Sequence, residues 1–359
     1  MVTVILLTLG VVNNFAAAQE VSTLAGTRQT IVGGPVATWE SIKLMSGDGG
    51  GAFNVNSAHP FENPTPLTNV IEIVAMLLIP VAFLRTFGVM VGDRKQGWAL
   101  FAAAAVLFVI GTAAIVWATA ATHGTVVHVV GGPVEGTETR FGVPGSAVFG
   151  QIATASADGA ANSSYDSFAS LGGAVLMFNM MLGEVAPGGA GSGLYGLVMM
   201  VLLAVFIGGL MVGRTPEYLR QRLRTRHMKL VSLYILALPA AVLIGTAVAM
   251  SLPGERASML NAGPHGLSEV LYAFTSAAAN NGSAFAGFSG NTAWYNTALG
   301  LAMQPMSGLA LLLADQARLV YPALGGPLLT TLLSAWLLLA VLAPLGVQLA
   351  LRLSGDARP

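Results

Sequence analysis

The stretch Thr275-Ser-Ala-Ala-Ala-Asn-Asn-Gly-Ser-Ala-Phe-Ala-Gly287 is a small, polar, glycine-containing segment that lies between apolar parts of the chain. In a bilayer, unpaired backbone groups are costly, so irregular backbone persists at membrane depth only where protein buries it or where it lines an aqueous path. Ion-selectivity filters are one use of this exception. If the rest of the chain lies in a membrane, this segment predicts a pore loop.

The composition is that of an integral membrane protein. Of the 359 residues, 54% are hydrophobic and 9% are charged, against about 25% charged residues in soluble proteins. Lys plus Arg equals Asp plus Glu at 16 each, and cysteine is absent, which excludes disulfides and thiol catalysis. We predict an all-α membrane protein, with apolar runs near residues 1–16, 68–90, 98–121, 168–185, 194–212, 229–251, 293–313 and 326–351.

The first run has two interpretations. Its apolar start at Met1–Gly10 and the small residues at 16–18 resemble a signal peptide. A basic segment before the apolar part is missing, however, and signal peptides normally have one. We therefore favour a transmembrane helix.

Two connections are rich in basic residues, which places them in the cytoplasm by the positive-inside rule. One is flanked by Arg85, Arg94 and Lys95, and the other is the segment 214–229. Three apolar runs lie between them, an odd number, so two runs must form one interrupted crossing. The glycine-rich segment at 183–193 is the predicted break. The alternative is an ordinary exposed loop between two complete spans.

The polar segment at 275–287 has two counterparts earlier in the chain, at 46–54 and 154–162. Amphiphilic stretches at 146–157 and 265–276 predict half-span helices before two of the three loops. The repeated unit is therefore membrane helix, re-entrant pore helix, polar loop and membrane helix. Glycine-rich loops can turn carbonyl oxygens toward a dehydrated cation, which makes these residues filter candidates: Gly47, Asp48, Gly49, Ala157, Asp158, Gly159, Asn280, Asn281 and Gly282.

Several longer motifs resemble the KdpA family, the potassium-transporting subunits of bacterial Kdp ATPases. They include the stretches 50–64, Gly213–Leu219, Asn261–Tyr272 and Asn280–Gly287. Shorter matches at Gly92–Gly97, Arg140–Gly142, Asp166–Phe168 and the run ending at Gly196 extend the likeness over about residues 30 to 300.

The resemblance implies four helix–pore–helix repeats around one filter, with Gly49, Gly159 and Gly282 as filter glycines of the second, third and fourth. The expected boundaries are 1–96 for the second repeat, 97–228 for the third, 229–323 for the fourth, and 324–359 for a final transmembrane helix and tail. The break in the third repeat corresponds to a gating loop, whose candidate residues are Glu184, Gly188, Gly189, Gly191 and Gly193.

The resemblance also implies a function. K+ would be the transported ion, with no other cofactor. The partners would be a P-type ATPase catalytic subunit and small accessory membrane subunits, in the bacterial plasma membrane. The sequence lacks an Asp-Lys-Thr-Gly phosphorylation motif and a phosphate-binding loop, so ATP chemistry would belong to a partner and no catalytic residue is expected here.

The sequence departs from the family pattern at several places. It begins inside the expected second repeat, so we expect a truncated or split form. Gly47-Asp48-Gly49 stands where the family usually has Thr-Asn-Gly, and Ala157-Asp158-Gly159 where small hydroxyl or thiol residues are usual. Two carboxylates would strengthen cation binding and favour divalent ions. Alternatively they reflect drift, or cap the next helix. After the fourth filter, Gln304–Ser307 replaces the family's basic Gly-Arg-Phe segment.

Other ionisable residues have two interpretations each. His59 and Glu62 fit a metal or proton-relay site or, more simply, a structural role. Asp166 either caps a helix or, with Glu184 and Glu269, is an intramembrane functional group. The alternative to transport is a non-conducting scaffold or regulatory protein. An intramembrane hydrolase has little support, because no Ser/His pair or Asp pair lies on facing spans.

Overall fold

The computed structural model describes residues 1–303 except 17, 48, 54, 121–133 and 284. The predicted filter residue Asp48 and the predicted final helix at 324–359 therefore lie outside the described residues. Met1–Ala302 forms one compact unit.

The described chain is mostly helical, which confirms the all-α prediction. Its helices are α1 (Val2–Thr8), α2 (Val36–Ser46), α3 (Pro66–Met90), α4 (Arg94–Ala120), α5 (Gly142–Ala155), α6 (Ser170–Met181), α7 (Ser192–Val212), α8 (Thr225–Ser251), α9 (Pro253–Arg256), α10 (Pro264–Ala278) and α11 (Ala293–Ala302). Four of these described helices, α3, α4, α7 and α8, are long and apolar enough to cross a membrane.

The remaining regular structure consists of two short antiparallel hairpins and two 3-10 turns. Strands β1 (Gln19–Ser22) and β2 (Arg28–Ile31) pair with Gln19 opposite Ile31, and every residue in them is exposed. Strands β3 (Glu217–Tyr218) and β4 (Gln221–Arg222) pair within the predicted cytoplasmic segment. The 3-10 turns are Asn56–Ala58 and Tyr165–Ser167.

Helices α3 and α4 form a close antiparallel hairpin. Pro66 begins α3 directly after Thr65, whose hydroxyl accepts from the Thr68 backbone N–H at 3.2 Å. Farther along, a Cβ added to Gly88 would stand 2.9 Å from the Gly97 Cα. The two glycines therefore let the helix backbones touch where larger residues would separate them.

The elements recur in one order. A short helix and a polar loop precede a further apolar helix in α2–α3, in α5–α6 and in α10–α11. Helices α4 and α8 lead into α5–α6 and α10–α11. We call the three units the second, third and fourth, after the repeats that the sequence predicts. The amphiphilic stretches at 146–157 and 265–276 are helical as predicted, in α5 and α10. No bounds were predicted for α2, although the predicted repeat includes a pore helix before each polar loop.

The predicted break in the third unit is present. Helix α6 has 12 residues and ends at Met181, and α7 begins at Ser192. A span needs roughly 20 residues, so α6 is too short to cross alone. Residues 184–189 of the intervening segment are buried, so the alternative of an ordinary exposed loop is wrong.

The apolar run at the start of the chain forms less helix than expected. Only Val2–Thr8 is helical, and Leu6 packs against Val36 and Ala37 of α2. The structure therefore shows one short helix packed against α2 instead of a helix long enough to cross the membrane.

The two basic connections lie on the same side of the molecule. Burial raises the pKa of the Tyr218 hydroxyl in the β3–β4 hairpin, and the nearby charge of Asp93, in the α3–α4 turn, raises it further. This proximity supports placing both connections on one side of the membrane.

Candidate functional site

Three glycines follow the three short helices α2, α5 and α10, and they share one backbone conformation. Their φ angles are 64° at Gly49, 71° at Gly159 and 80° at Gly282. This left-handed region favours glycine. Each loop also begins at the carboxyl end of a helix, where the helix dipole places partial negative charge. Both features suit a loop that presents oxygen atoms to a cation.

The loops contact one another in succession. A Cβ added to Gly49 would overlap the carbonyl oxygen of Asp158 and stand 2.8 Å from its carbonyl carbon. A Cβ added to Gly159 would overlap the carbonyl oxygen of Asn281 in the same way, 3.0 Å from its carbonyl carbon. Each glycine thus packs on the carbonyl that precedes the next loop's glycine. At Gly282, no described atom lies within 4 Å of an added Cβ.

Asn281 ties the third and fourth loops together. Its side-chain amide donates to the carbonyls of Ala153 at 3.2 Å and Ser156 at 3.4 Å, across the boundary between the two units. Its side-chain oxygen accepts from the Ser276 hydroxyl at 3.0 Å and from the Ser283 backbone N–H at 3.2 Å. With 3% of its surface exposed, Asn281 acts as a structural link between the loops.

The side chain of Asp158 is buried beside its own loop. Its Oδ1 accepts from the Ala160 backbone N–H at 3.1 Å, and its charge acts on Lys43 of α2. The next helix, α6, begins only at Ser170. The interpretation of Asp158 as a helix cap is therefore wrong, and its carbonyl, at Gly49, is the part that joins the loop-to-loop contact.

The other described filter candidates occupy the edges of the loops. Gly47 ends α2 in a left-handed conformation with φ 73°. Asn280 is exposed and has φ 62°. Ala157 faces the segment that interrupts the third-unit helix, since a Cβ added to Gly189 would stand 2.6 Å from the Ala157 Cβ.

The break between α6 and α7 lies directly against these loops. The backbone N–H of Gly188 donates to the carbonyl of Ala155, the last residue of α5, at 3.0 Å. A Cβ added to Gly47 would be 3.8 Å from the Gly189 Cα. The break therefore contacts the second and third loops at once, as expected of a segment that could obstruct a path leading from them.

The break itself is held by tight turns. Gly188 has φ 89°, and an added Cβ would stand 3.0 Å from the Gly193 nitrogen. Gly191, with φ 106°, precedes α7 directly. Glu184 is 3% exposed with φ 53°, and its carboxyl group interacts with the Asn281 side chain. The structure thus brings the predicted gating residues together beside the fourth filter loop.

A polar cluster joins the third and fourth units. His265 Nε2 lies 2.7 Å from Asp166 Oδ1, and the Asn261 amide donates to Glu269 Oε1 at 2.7 Å. Glu269 also accepts from the Leu260 backbone N–H at 3.1 Å. The cluster has metal-ligand residue types within 4.8 Å of one another. Because these protein donors already occupy its oxygens, we assign it to holding the units together. The capping role considered for Asp166 is wrong.

A second buried cluster lies behind the second loop, and of its members only Glu62 was singled out from the sequence. It consists of Glu40 and Lys43 on α2, Ser57 and Glu62 in the following loop, and Glu72 on α3. The signal that could have found it is the pair of opposite charges three residues apart at 40 and 43, a spacing that places both side chains on one helix face.

The described residues define the class of the protein. Short helices that end in glycine loops, loops that touch in succession and an interrupted helix against them are the parts of a pore-loop membrane protein, the class of ion channels and channel-derived transporters.

Comparison with known proteins identifies the family. Residues 1–312 match the KdpA family, described as the potassium-transporting ATPase A subunit. Several relatives are named potassium-transporting ATPase potassium-binding subunit. The Frankia alni relative is 60% identical over 300 residues, covering 84% of this chain and 51% of the relative. The Mycolicibacterium vanbaalenii relative is 58% identical over 301 residues, covering 84% and 54%, and that of Clavibacter michiganensis is 53% identical over 305 residues, covering 84% and 55%.

This chain belongs to the KdpA family. It spans about half the length of the curated relatives it matches.

Proposed function

We propose that this chain is the K+-binding and translocating membrane subunit of an ATP-driven K+ uptake complex in the bacterial plasma membrane. The observation that carries the proposal is the succession of loop contacts, Gly49 on Asp158 and Gly159 on Asn281. It gathers three glycine loops at one place in a membrane protein. The names of the relatives, potassium-binding subunits, support K+ as the ion.

The loops would act by replacing water around the ion. Backbone carbonyls offer oxygens without a formal charge, so an ion can bind and still leave. The negative ends of α2, α5 and α10 add to the attraction for a cation. The buried Asp158 adds negative charge behind the loops, which strengthens the attraction for a cation.

The break between α6 and α7 would control passage beyond the loops. It lies against Gly47 and Ala157 and contains Gly188, Gly189, Gly191 and Gly193. Glu184 would attract a cation that has left the filter. Movement of this segment, and not of the filter, is the proposed gating step.

Energy for uptake would come from partners. A P-type ATPase catalytic subunit and small accessory membrane subunits are the expected ones, since the sequence has no phosphorylation motif. The basic segment 214–229 would face the cytoplasm and offer a docking surface. The repeat boundaries near 96 and 228 stay predictions.

Three loops do not enclose an ion, so the proposal requires one more loop. The side of Gly282 that is open among the described residues is where this further loop would pack. The same observation supports the second candidate function, a non-conducting scaffold that keeps the fold and the partner surfaces.

Growth under potassium limitation distinguishes the two. An uptake-deficient host would carry this chain with its partner subunits, either unchanged or with Gly282→Asp, and Gly208→Ala would serve as a control in the lipid-facing part of α7. Transport predicts growth of the unchanged chain and the control but not of Gly282→Asp. Equal growth of all three would support the scaffold.

A further inference from the structure

Behind the second pore loop lies a cluster of ionisable groups that the transport path does not use. Glu40 and Lys43 of α2 form an ion pair, Oε1 to Nζ, at 2.5 Å. The Lys43 ammonium also donates to the Ser57 hydroxyl at 3.1 Å, and that hydroxyl donates to Glu40 Oε1 at 2.9 Å. Glu62 and Glu72 complete the cluster, and their charges act on each other and on Lys43.

The cluster is sealed from solvent. Glu40, Glu62 and Glu72 are 0% exposed and Lys43 is 3% exposed. One ammonium therefore faces three carboxyl groups, which would leave two uncompensated negative charges if all were ionised. Burying uncompensated charge is strongly unfavourable.

Several carboxyl oxygens also lack hydrogen bonds. Within the described part of the chain, Oε2 of Glu40 and of Glu62 has no hydrogen-bond partner. Ser57 interacts with Glu72, but its single hydroxyl proton is already donated to Glu40 Oε1, so the two Glu72 oxygens have no donor of their own among the described residues. Buried polar atoms are normally hydrogen-bonded, so a group of orphaned oxygens indicates an occupant. A carboxyl group that carries a proton donates a hydrogen bond to a neighbouring carboxylate and satisfies both.

The charged neighbours of the cluster do not remove the excess. Asp158, from the third pore loop, adds a further negative charge that acts on Lys43. Arg140, before α5, donates to the Ala58 carbonyl at 2.5 Å and acts on His59, in the same loop as Glu62. A metal ion is a poorer occupant, because among the described residues these carboxyl oxygens do not meet within a single coordination shell.

We propose that Glu40, Glu62 and Glu72 form a proton-binding site around Lys43, and that its bound proton opposes cation binding at the pore loops. Glu62 connects the site to the second loop. Its Oε1 accepts from the Phe53 backbone N–H at 2.8 Å, and a Cβ added to Gly51 would stand 2.9 Å from the same oxygen. Burial, with the nearby charge of Glu40, raises the pKa of Glu62 to about 7, so the site loses a proton near neutral pH.

The opposition follows from charge. Release of the proton adds one negative charge behind the second loop, which strengthens attraction for a cation in the loops. Linkage is reciprocal, so a bound cation also favours release of the proton. This coupling rests on the proposed function, whereas the proton site itself does not.

The test measures protons and K+ separately on the full chain in detergent or lipid nanodiscs. Infrared difference spectra between about pH 5.5 and about pH 8.5, which bracket neutrality, should show a protonated carboxyl C=O band at low pH that Glu62→Gln reduces. Lys43→Met removes the positive charge and should move the loss of this band to higher pH. Glu20→Gln, on the exposed strand β1, should leave the band unchanged.

Calorimetric titration with K+ at the same two pH values gives the second measurement. The unchanged chain should bind K+ several-fold more tightly at high pH, and Glu62→Gln should remove most of that difference. Glu72→Gln repeats the comparison if Glu62→Gln does not fold. A spectrum without the band, or a band that none of the cluster variants alters, overturns the proton site. Equal K+ affinity at both pH values overturns the coupling, and absence of K+ binding at either overturns the proposed function while the band remains.

Discussion

Replacing Gly159 by alanine should damage the pore loops more than replacing Gly282, although both glycines have the same backbone conformation. Alanine at a left-handed position costs about 1–2 kcal/mol at either site. At Gly159 the new Cβ would also overlap the Asn281 carbonyl oxygen and stand 2.9 Å from Asn281 Oδ1. Overpacking of this kind costs about 1–3 kcal/mol more. We expect a loss of about 2–5 kcal/mol for Gly159→Ala and about 1–2 kcal/mol for Gly282→Ala.

The five tryptophans of the chain allow unfolding in detergent to be followed by fluorescence. Both variants would be compared with the unchanged chain at one detergent and salt concentration. K+ should stabilise the unchanged chain and fail to stabilise Gly159→Ala, because a bound ligand raises stability only where its site is intact. Equal losses of stability in the two variants would refute the argument that Gly159, and not Gly282, is enclosed by its neighbour in this chain.

Three further predictions concern neighbouring parts of the site. Gly188→Ala should destabilise the chain by about 2–5 kcal/mol and impair uptake, because φ is 89° and the new Cβ would meet the opposite side of the break. As a control, Gly208→Ala should stabilise α7 by about 0.5–1 kcal/mol in the same unfolding assay, because no described atom lies within 4 Å of the new Cβ. Asn281→Ala should cost about 2–4 kcal/mol by orphaning buried carbonyls, whereas Asn280→Gly, at an exposed residue with φ 62°, should cost nothing; a loss for Asn280→Gly as large as that for Asn281→Ala would contradict this. Folding raises the pKa of Glu62 from 4.5 to about 7. The stability that Glu62 contributes is therefore complete below pH 4.5 and is lost as pH rises through about 7, a change of about 3 kcal/mol. Glu62→Gln should abolish this change when unfolding is measured across the same pH range.

The parts of the fold that were predictable depend on local pattern. Glycine-rich loops after amphiphilic stretches indicated α5 and α10, and the glycines at 183–193 indicated the break before α7. Each of these sequence patterns lies in or next to the helix or break that it predicts. The membrane class followed from composition alone.

Features that depend on distant partners could not be read in this way. Helix α2 carries Glu40 and Lys43, which suggest a solvated segment until each is seen to neutralise the other in the interior. Asp166 resembles a helix cap in sequence, but its partner His265 lies 99 residues away. In both places, a tertiary contact determines the environment of a side chain that the local sequence does not specify.

The succession of loop contacts has a direction. Gly49 packs on the carbonyl before Gly159, and Gly159 on the carbonyl before Gly282, so each unit presents unlike surfaces to its two neighbours, as subunits do in a head-to-tail ring. A unit that closes such a ring can enter in one orientation only, offering a carbonyl to Gly282 and a glycine to the loop before Gly49. The open side of Gly282 therefore fits only the carbonyl side of a further unit, and a unit inserted backwards would not fit it.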